Sequence, residues 1–274
     1  MQLKAYAKVN LGLKIIGKRA DGYHNIQSIF LPIDFYDSIK LALCSAGVEF
    51  TSNLPPYGRD NLCVKSAELF FAETHIKSGI KIGLEKHIWI GAGLGGGSSC
   101  AAQILLGMNE LFDYPLKQEE LLALGLKIGS DVPFFIRGVP ALVEGRGEII
   151  TPLPHLPKPI WVALVYPNFP ISTEWAYSKI GNYLTKEKWD FKILEQCFKM
   201  GDIRELACTL HNDFELVVFE KYPELKQIKE KLLDLGALGA SVSGSGSCIY
   251  GIFEKIDNLE LLFPQYKVRI VSSP

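Results

Sequence analysis

The sequence predicts an α/β (α+β) fold. Apolar residues recur with period two in some segments and near 3.6 in others, and the two patterns alternate through both halves of the chain. At 274 residues the chain exceeds a modal domain, so one large or two ordinary domains are expected. Hydrophobic residues make up 48% and charged residues 22%, which excludes general disorder. Lys+Arg number 29 against 30 Asp+Glu, a net charge of −1. Neither a nucleic-acid partner nor a membrane surface is expected for such a chain.

Residues 2–16 alternate, with Leu3, Ala5, Ala7, Val9, Leu11, Leu13 and Ile15 on one face, which predicts a strand buried on one side. An Asp-Gly turn signal follows in residues 17–23 (GKRADGY). Residues 26–33 and 38–43 are two further apolar runs, and 52–60 (SNLPPYGRD) reads as a loop. Leu62, Ala67, Leu69, Phe70 and Ala72 spread over one face of a helix at 61–75. Residues 80–90 read as a strand leading into a glycine cluster. Helices are expected at 98–112 and 117–128, then a loop at 129–133 and a strand pair around 134–143.

Residues 151–159 (TPLPHLPKP) hold four of the 15 prolines. Such density cannot continue a helix or a central strand. The boundary is expected there, giving an N-terminal domain of residues 1–152 and a C-terminal domain of residues 153–274. Beyond it the patterns predict a strand at 160–166 and helices at 172–180, 191–200, 203–218 and 224–235. A second glycine-serine loop at 240–246 runs into a strand at 248–253, followed by a short helix at 259–263 and a last strand at 266–271.

The six cysteines show neither a CxxC arrangement nor zinc-finger spacing, and read as reduced, mostly buried thiols of a cytoplasmic protein. The opening MQLKAYAKVNLGLKIIG contains Lys4 and Lys8 and no continuous apolar core, so neither a signal peptide nor a transit peptide is expected. No window approaches the ~18 apolar residues of a membrane span.

The sharpest feature is Gly91-Ala92-Gly93-Leu94-Gly95-Gly96-Gly97-Ser98-Ser99, between an expected strand and an expected helix. Glycines let bare N–H groups approach a ligand, and a helix start adds unpaired donors and the positive end of its dipole. That combination suits a phosphate. Ser98 and Ser99 add hydroxyls, and either serves equally as the helix N-cap. Gly91, Gly93 and Gly96 also fit GxGxxG, so a dinucleotide-binding fold and an NAD-dependent oxidoreductase stay open. However, Glu110 and Asp113 fall at the helix end, not after a second strand where the ribose acid belongs. A Walker A loop fails, because no Lys follows the last Gly. A packing loop without a ligand is the remaining alternative.

The run from Gly93 to Ser99, opening a helix with Cys100-Ala101-Ala102, resembles the phosphate loop of the GHMP small-molecule kinases. Two further motifs of that family stand in order: Ala5-Tyr6-Ala7-Lys8-Val9-Asn10-Leu11, and Ser243-Gly244-Ser245-Gly246-Ser247-Cys248. The segments GKRADGYH (17–24) and GSDVPFF (129–135) narrow the resemblance to members whose substrate carries a cytidine diphosphate. It covers nearly the whole chain. It implies a two-lobed fold, with an N-terminal ribosomal-protein-like βα domain and a C-terminal ferredoxin-like α+β domain. It also implies an ATP-dependent kinase, with Mg²⁺, acting on the 2-hydroxyl of a cytidyl-methylerythritol in non-mevalonate isoprenoid synthesis. Another kinase of the family, acting on a small alcohol, is the near alternative.

The resemblance implies roles residue by residue. Asp131 would be the catalytic base, although Asp in such a loop is also a common turn or cap residue. Lys8 shares a strand face with Asn10 by the period-two rule. Lys8 would act with the Asp, and Asn10 would contact substrate. His24 would recognise the cytosine edge, with Tyr23, Phe30 and Tyr177 as aromatic partners and Thr173 as a further substrate contact. Lys86, Trp89, Ile90 and residues Gly91 to Ser99 would bind ATP, and Ser99 is the candidate Mg²⁺ ligand. Trp89 and Ala92 depart from the family pattern, which usually has Pro and Gly at these positions.

Overall fold

The computed structural model describes residues 1–54, 61–181, 190–256 and 259–273. From residue 55 on, the expected loop at 52–60 lies outside them. The chain forms two compact units. The first comprises Met1–Ala7, Phe35–Trp89 and Gly95–Gly138, and the second Lys8–Asp34, Ile90–Leu94 and Val139–Pro274.

The chain opens with β1 (Gln2–Lys18) and β2 (His24–Cys44), each contributing to both units. Next come β3 (Gly47–Ser52), α1 (Leu62–Thr74), β4 (Gly79–Glu85), α2 (Gly96–Leu111), α3 (Gln118–Ile128) and α4 (Val132–Arg137). Then follow β5 (Ala141–Gly145), β6 (Ile149–Pro152), β7 (Trp161–Tyr166), α5 (Thr173–Ile180), α6 (Phe191–Met200) and α7 (Ile203–Cys208). The chain continues with β8 (His211–Asn212), α8 (Phe214–Lys221), α9 (Pro223–Asp234), β9 (Gly239–Val242) and β10 (Ile249–Phe253). A 3₁₀ turn (Leu259–Leu262) and β11 (Lys267–Ser272) close it. This is the expected mixed α/β class.

In the first unit, β4 pairs antiparallel with β2, from Ser38↔Glu85 to Cys44↔Gly79, and parallel with β3. Helix α2 packs on α1, α3 and α4. It also lies close to the strands: a Cβ at Gly107 would stand 2.5 Å from Leu3 Cδ1 and 2.7 Å from Leu41 Cδ1. In the second unit, β8 pairs parallel with β1, and β5 pairs antiparallel with β2 and with β6. A separate antiparallel sheet has the order β11-β7-β10-β9. Apolar faces of α5, α8 and α9, including Ala176, Phe214, Leu225 and Leu232, share one core with Leu13 and Val165.

Several expectations need correction. The loop expected at 240–246 begins only after Val242, because Gly239–Val242 pairs with β10 as strand β9. The runs at 26–33 and 38–43 are one continuous strand, β2. Strand β3 was not predicted, and the strand expected at 80–90 stops at Glu85. Residues 134–137 are helical rather than strand: Pro133 sits in the first turn of α4 and Gly138 closes it with φ +68°, so the hairpin starts only at β5. The helix expected at 203–218 is broken, because polar side chains capture the backbone. Thr209 Oγ1 donates to Leu206 O, Asn212 Oδ1 accepts from Phe214 N, and Asp213 Oδ2 accepts from Ile15 N.

Candidate active site

The glycine loop contributes to both units. In the second unit, five successive carbonyls, those of residues 90–94, are all hydrogen-bonded. Tyr166 Oη donates to Ile90 O (3.1 Å), Ile171 N to Gly91 O (3.1 Å) and Cys248 N to Ala92 O (3.2 Å). Lys8 Nζ (3.0 Å) and Ser243 Oγ (2.9 Å) both donate to Gly93 O, and Lys8 N donates to Leu94 O (3.0 Å). Among the described residues, the N–H groups of Gly93, Leu94 and Gly95 donate to nothing. Carbonyls engaged and amides free is the polarity an anion site needs. Glycine is obligatory at 93, where φ is +75° and a Cβ would lie 1.9 Å from the Ser243 carbonyl oxygen. Ala92 and Leu94 bury their side chains, so only their backbone is available to a ligand, and Ile90 is exposed.

Lys8 is buried rather than solvated. Its ammonium donates to Asn10 Oδ1 (2.5 Å) and stands 4.8 Å from the centre of the Phe30 ring. Asn10 Nδ2 donates to Ser28 Oγ (3.0 Å), and Tyr250 Oη donates to Asn10 O (2.7 Å). An amide has two N–H and two lone pairs, so Asn10 keeps capacity beyond these bonds. Phe30 is a core ring, 2% exposed, with Lys8 over it.

The aromatic group around His24 lies wholly in the second unit. His24 stacks on Tyr177, with ring centres 5.0 Å apart at 23°, and Phe214 meets Tyr177 edge-on at 4.9 Å. Burial, and secondarily the Lys18 charge, lower the His24 pKa, which favours the neutral imidazole. Tyr23 is half exposed, with the Arg146 guanidinium 5.0 Å from its ring centre. Thr173, at the start of α5, shares a hydrogen bond with Ser245 of the second glycine-serine loop (3.0 Å).

In the first unit, Gly95 caps α2 with φ +72° and makes no side-chain cap bond. Neither Ser98 nor Ser99 is the cap. The first turn of α2 carries no acidic residue to compete with a bound anion. Ser99 is buried, and among the described residues its Oγ has no hydrogen-bond partner. Lys86 lies just past β4 and forms an ion pair with the fully buried Asp37. A Cβ at Gly96 would stand 3.0 Å from Lys86 Nζ, which puts that cation beside the helix start. Trp89 packs edge-on against Phe35, ring centres 5.3 Å apart. Asp131 occupies the N-cap position of α4, yet its side chain makes no cap bond. A Cβ at Gly129, two residues earlier, would stand 3.8 Å from Ser98 Oγ, so the GSDVP turn lies beside the start of α2.

Two residues were missed by sequence reasoning. Asp37 accepts from His87 N (2.7 Å), Ile88 N (2.8 Å) and Cys100 Sγ (3.3 Å) as well as from Lys86, and so anchors the chain that enters the loop. Its signal was legible: Ile33, Phe35, Asp37, Ile39 and Leu41 share one strand face, with a carboxylate in the middle of an apolar row. Asn212 was absorbed into an expected helix.

The dinucleotide alternative does not survive this topology. The loop leaves β4, and α2 leads into α3, not into a parallel strand with an acidic end. Residues 61–139 match the model of the GHMP kinases N terminal domain, and residues 193–262 that of the GHMP kinases C terminal domain. The chain belongs to the GHMP kinase family. Within it, the chain is 42% identical over 256 residues to the 4-diphosphocytidyl-2-C-methyl-D-erythritol kinase of Geobacter metallireducens, covering 92% of this chain and 89% of that one. It is 40% identical over 269 residues to the enzyme of the same name from Clostridium tetani, covering 97% and 96%. A crystal structure of 4-(cytidine 5'-diphospho)-2C-methyl-D-erythritol kinase superposes over 100% of both chains, with TM-score 0.86 and 32% identity.

Proposed function

We propose that this chain is a cytoplasmic ATP-dependent kinase that phosphorylates the 2-hydroxyl of 4-diphosphocytidyl-2-C-methyl-D-erythritol, a step toward isoprenoid precursors. The observation that carries this reading is the near-full-length likeness to relatives bearing that enzyme's name. All six cysteines are free thiols, as a reducing compartment requires. Among the described residues, no helix is long and apolar enough to cross a membrane.

In this reading, the free amides of the glycine loop and the first turn of α2 hold the ATP phosphates, with Lys86, Trp89 and Ile90 on the nucleotide side. Ser99 would hold Mg²⁺: an orphaned buried hydroxyl fits an oxygen-seeking cation that keeps most of its own waters. Among the described residues no group of three or more His, Cys, Asp or Glu is placed to hold a metal. The ion, when bound, neutralises phosphate charge.

Asp131 takes the proton of the 2-hydroxyl as its oxygen bonds to the γ-phosphorus and the bond to the ADP oxygen breaks. Lys8, held by Asn10 and Gly93 O, supplies the positive charge that favours the developing alkoxide. Asn10 uses its remaining capacity on substrate. Tyr23, His24 and Tyr177 take the cytidine, with the Phe30 ring, 2% exposed and with Lys8 over it, behind them, and Thr173 takes a neighbouring hydroxyl or phosphate. The division at 152/153 then separates the segment carrying the phosphate loop from the one carrying Thr173, Tyr177 and the second glycine-serine loop.

A coupled assay of ADP release tests the reading. Release that requires both ATP and the cytidyl substrate is expected. Release with a simple alcohol but not with the cytidyl substrate would indicate another kinase of the family. No ATP-dependent release with any alcohol would overturn the kinase assignment.

A further inference from the structure

We infer that Asn212 is a positioning residue for the phosphate loop and acts through the turn at residues 243–247. This inference deepens the kinase reading and rests on it. Asn212 is 3% exposed, and its amide is spent on backbone. Nδ2 donates to Val242 O (2.7 Å) and to Gly244 O (2.9 Å), while Oδ1 accepts from Phe214 N (2.9 Å). The two carbonyls it grips lie on either side of Ser243.

Ser243 and Gly244 in turn press on Gly93. Ser243 Oγ donates to Gly93 O (2.9 Å), and a Cβ at Gly244 would stand 3.1 Å from the same oxygen and 3.4 Å from Lys8 Nζ. The Gly93 carbonyl and the Leu94 N–H belong to one planar peptide. Fixing that carbonyl toward the turn therefore aims the Leu94 N–H the opposite way. Leu94 N–H is one of the donors with no partner among the described residues. Asn212 is itself fixed by the β8–β1 pairing, Leu13↔Asn212, on the strand that carries Lys8. One amide thus sets both the loop peptide and the ammonium that shares its carbonyl.

The position asks for two donors and one acceptor in a single short side chain, which only an amide supplies. Asn212→Asp keeps the shape and the acceptor but turns an oxygen toward two carbonyls. Calorimetric titration of this variant with a non-hydrolysable ATP analogue and with CDP, together with steady-state kinetics, tests the inference. Affinity for the ATP analogue and kcat are each expected to fall by about tenfold, while CDP affinity stays within about twofold. Equal weakening of both ligands in a folded variant would mean a merely structural role and would overturn the inference. Ser243→Ala, which removes the downstream bond, should shift the same parameters in the same direction by a smaller factor. Combining it with Asn212→Asp should add little, because both act on one carbonyl; fully additive losses would count against the inference. If Asn212→Asp does not fold, Ser243→Ala decides alone, and an unchanged affinity for the ATP analogue overturns the proposal. A wild-type protein that bound CDP and the ATP analogue with neither variant affected would sink the inference and spare the kinase reading. A wild type that bound neither ligand would sink both.

Discussion

Asp131 stands where a helix usually spends an aspartate on its own first amides, and its carboxylate is not spent there. Asp131→Asn keeps the shape and removes the basicity. Turnover should fall by about 10²- to 10⁴-fold, with calorimetric affinity for CDP and an ATP analogue nearly unchanged. A rate close to wild type would show that another group takes the proton. Gly93→Ala forces a Cβ into the Ser243 carbonyl at a positive φ, so the loop must move. A displacement of about 1 Å at a reacting site costs on the order of 10²-fold, and the ATP kcat/KM should drop by that much in a folded protein. His24 follows a different logic. Its folded pKa is lowered by burial and then by Lys18, so the stability it contributes is complete above the ordinary imidazole range. That contribution is lost as pH falls through the folded value. An NMR titration should find His24 below the ordinary imidazole value, and Lys18→Ala should move it only part of the way back, because burial is the larger cause.

At the scale of elements, the entrance to the glycine loop hangs on a buried ion pair. Asp37→Asn leaves the Lys86 ammonium without its counter-charge in a largely buried place. Denaturant unfolding should register a loss of about 3–5 kcal/mol. A second prediction separates stability from function: Asn61 caps α1 by accepting from Cys63 N (2.9 Å). Asn61→Ala should cost about 1 kcal/mol and leave both substrate KM values unmoved. Helices α1, α2 and α3 were legible because each has an apolar face of its own. The broken helix at 203–218 was not: its apolar spacing runs through residues 209–213, and only the partner strand β1 shows why the chain leaves the helix there. Likewise β3 lacks an apolar run and becomes a strand by pairing with β4.

For the whole molecule, a net charge of −1 means that two polyanionic ligands must be held by local donors rather than by a basic surface. Binding that is confined to the native state must then stabilise the fold. With CDP and an ATP analogue each at about 100 times its Kd, each should add about 2.7 kcal/mol, and thermal unfolding should shift upward by several degrees. No shift with either ligand would contradict the nucleotide assignment.

The sequence by itself determined the mixed α/β class and the family, and singled out the glycine loop and the candidates Lys8 and Asp131, because glycine spacing, strand alternation and short motifs are local properties of the chain. Only the tertiary structure decided that Phe30 belongs to the core, that Gly95 and not a serine caps α2, that Asp37 pairs with Lys86, and that Asn212 grips the turn at residues 242–244. Each of these depends on which groups are brought together from distant positions. Asn212 reaches Gly244 across 32 residues of chain, and Asp37 reaches Ile88 across 51. Burial and hydrogen-bond partnership at that separation are not written in any window of sequence.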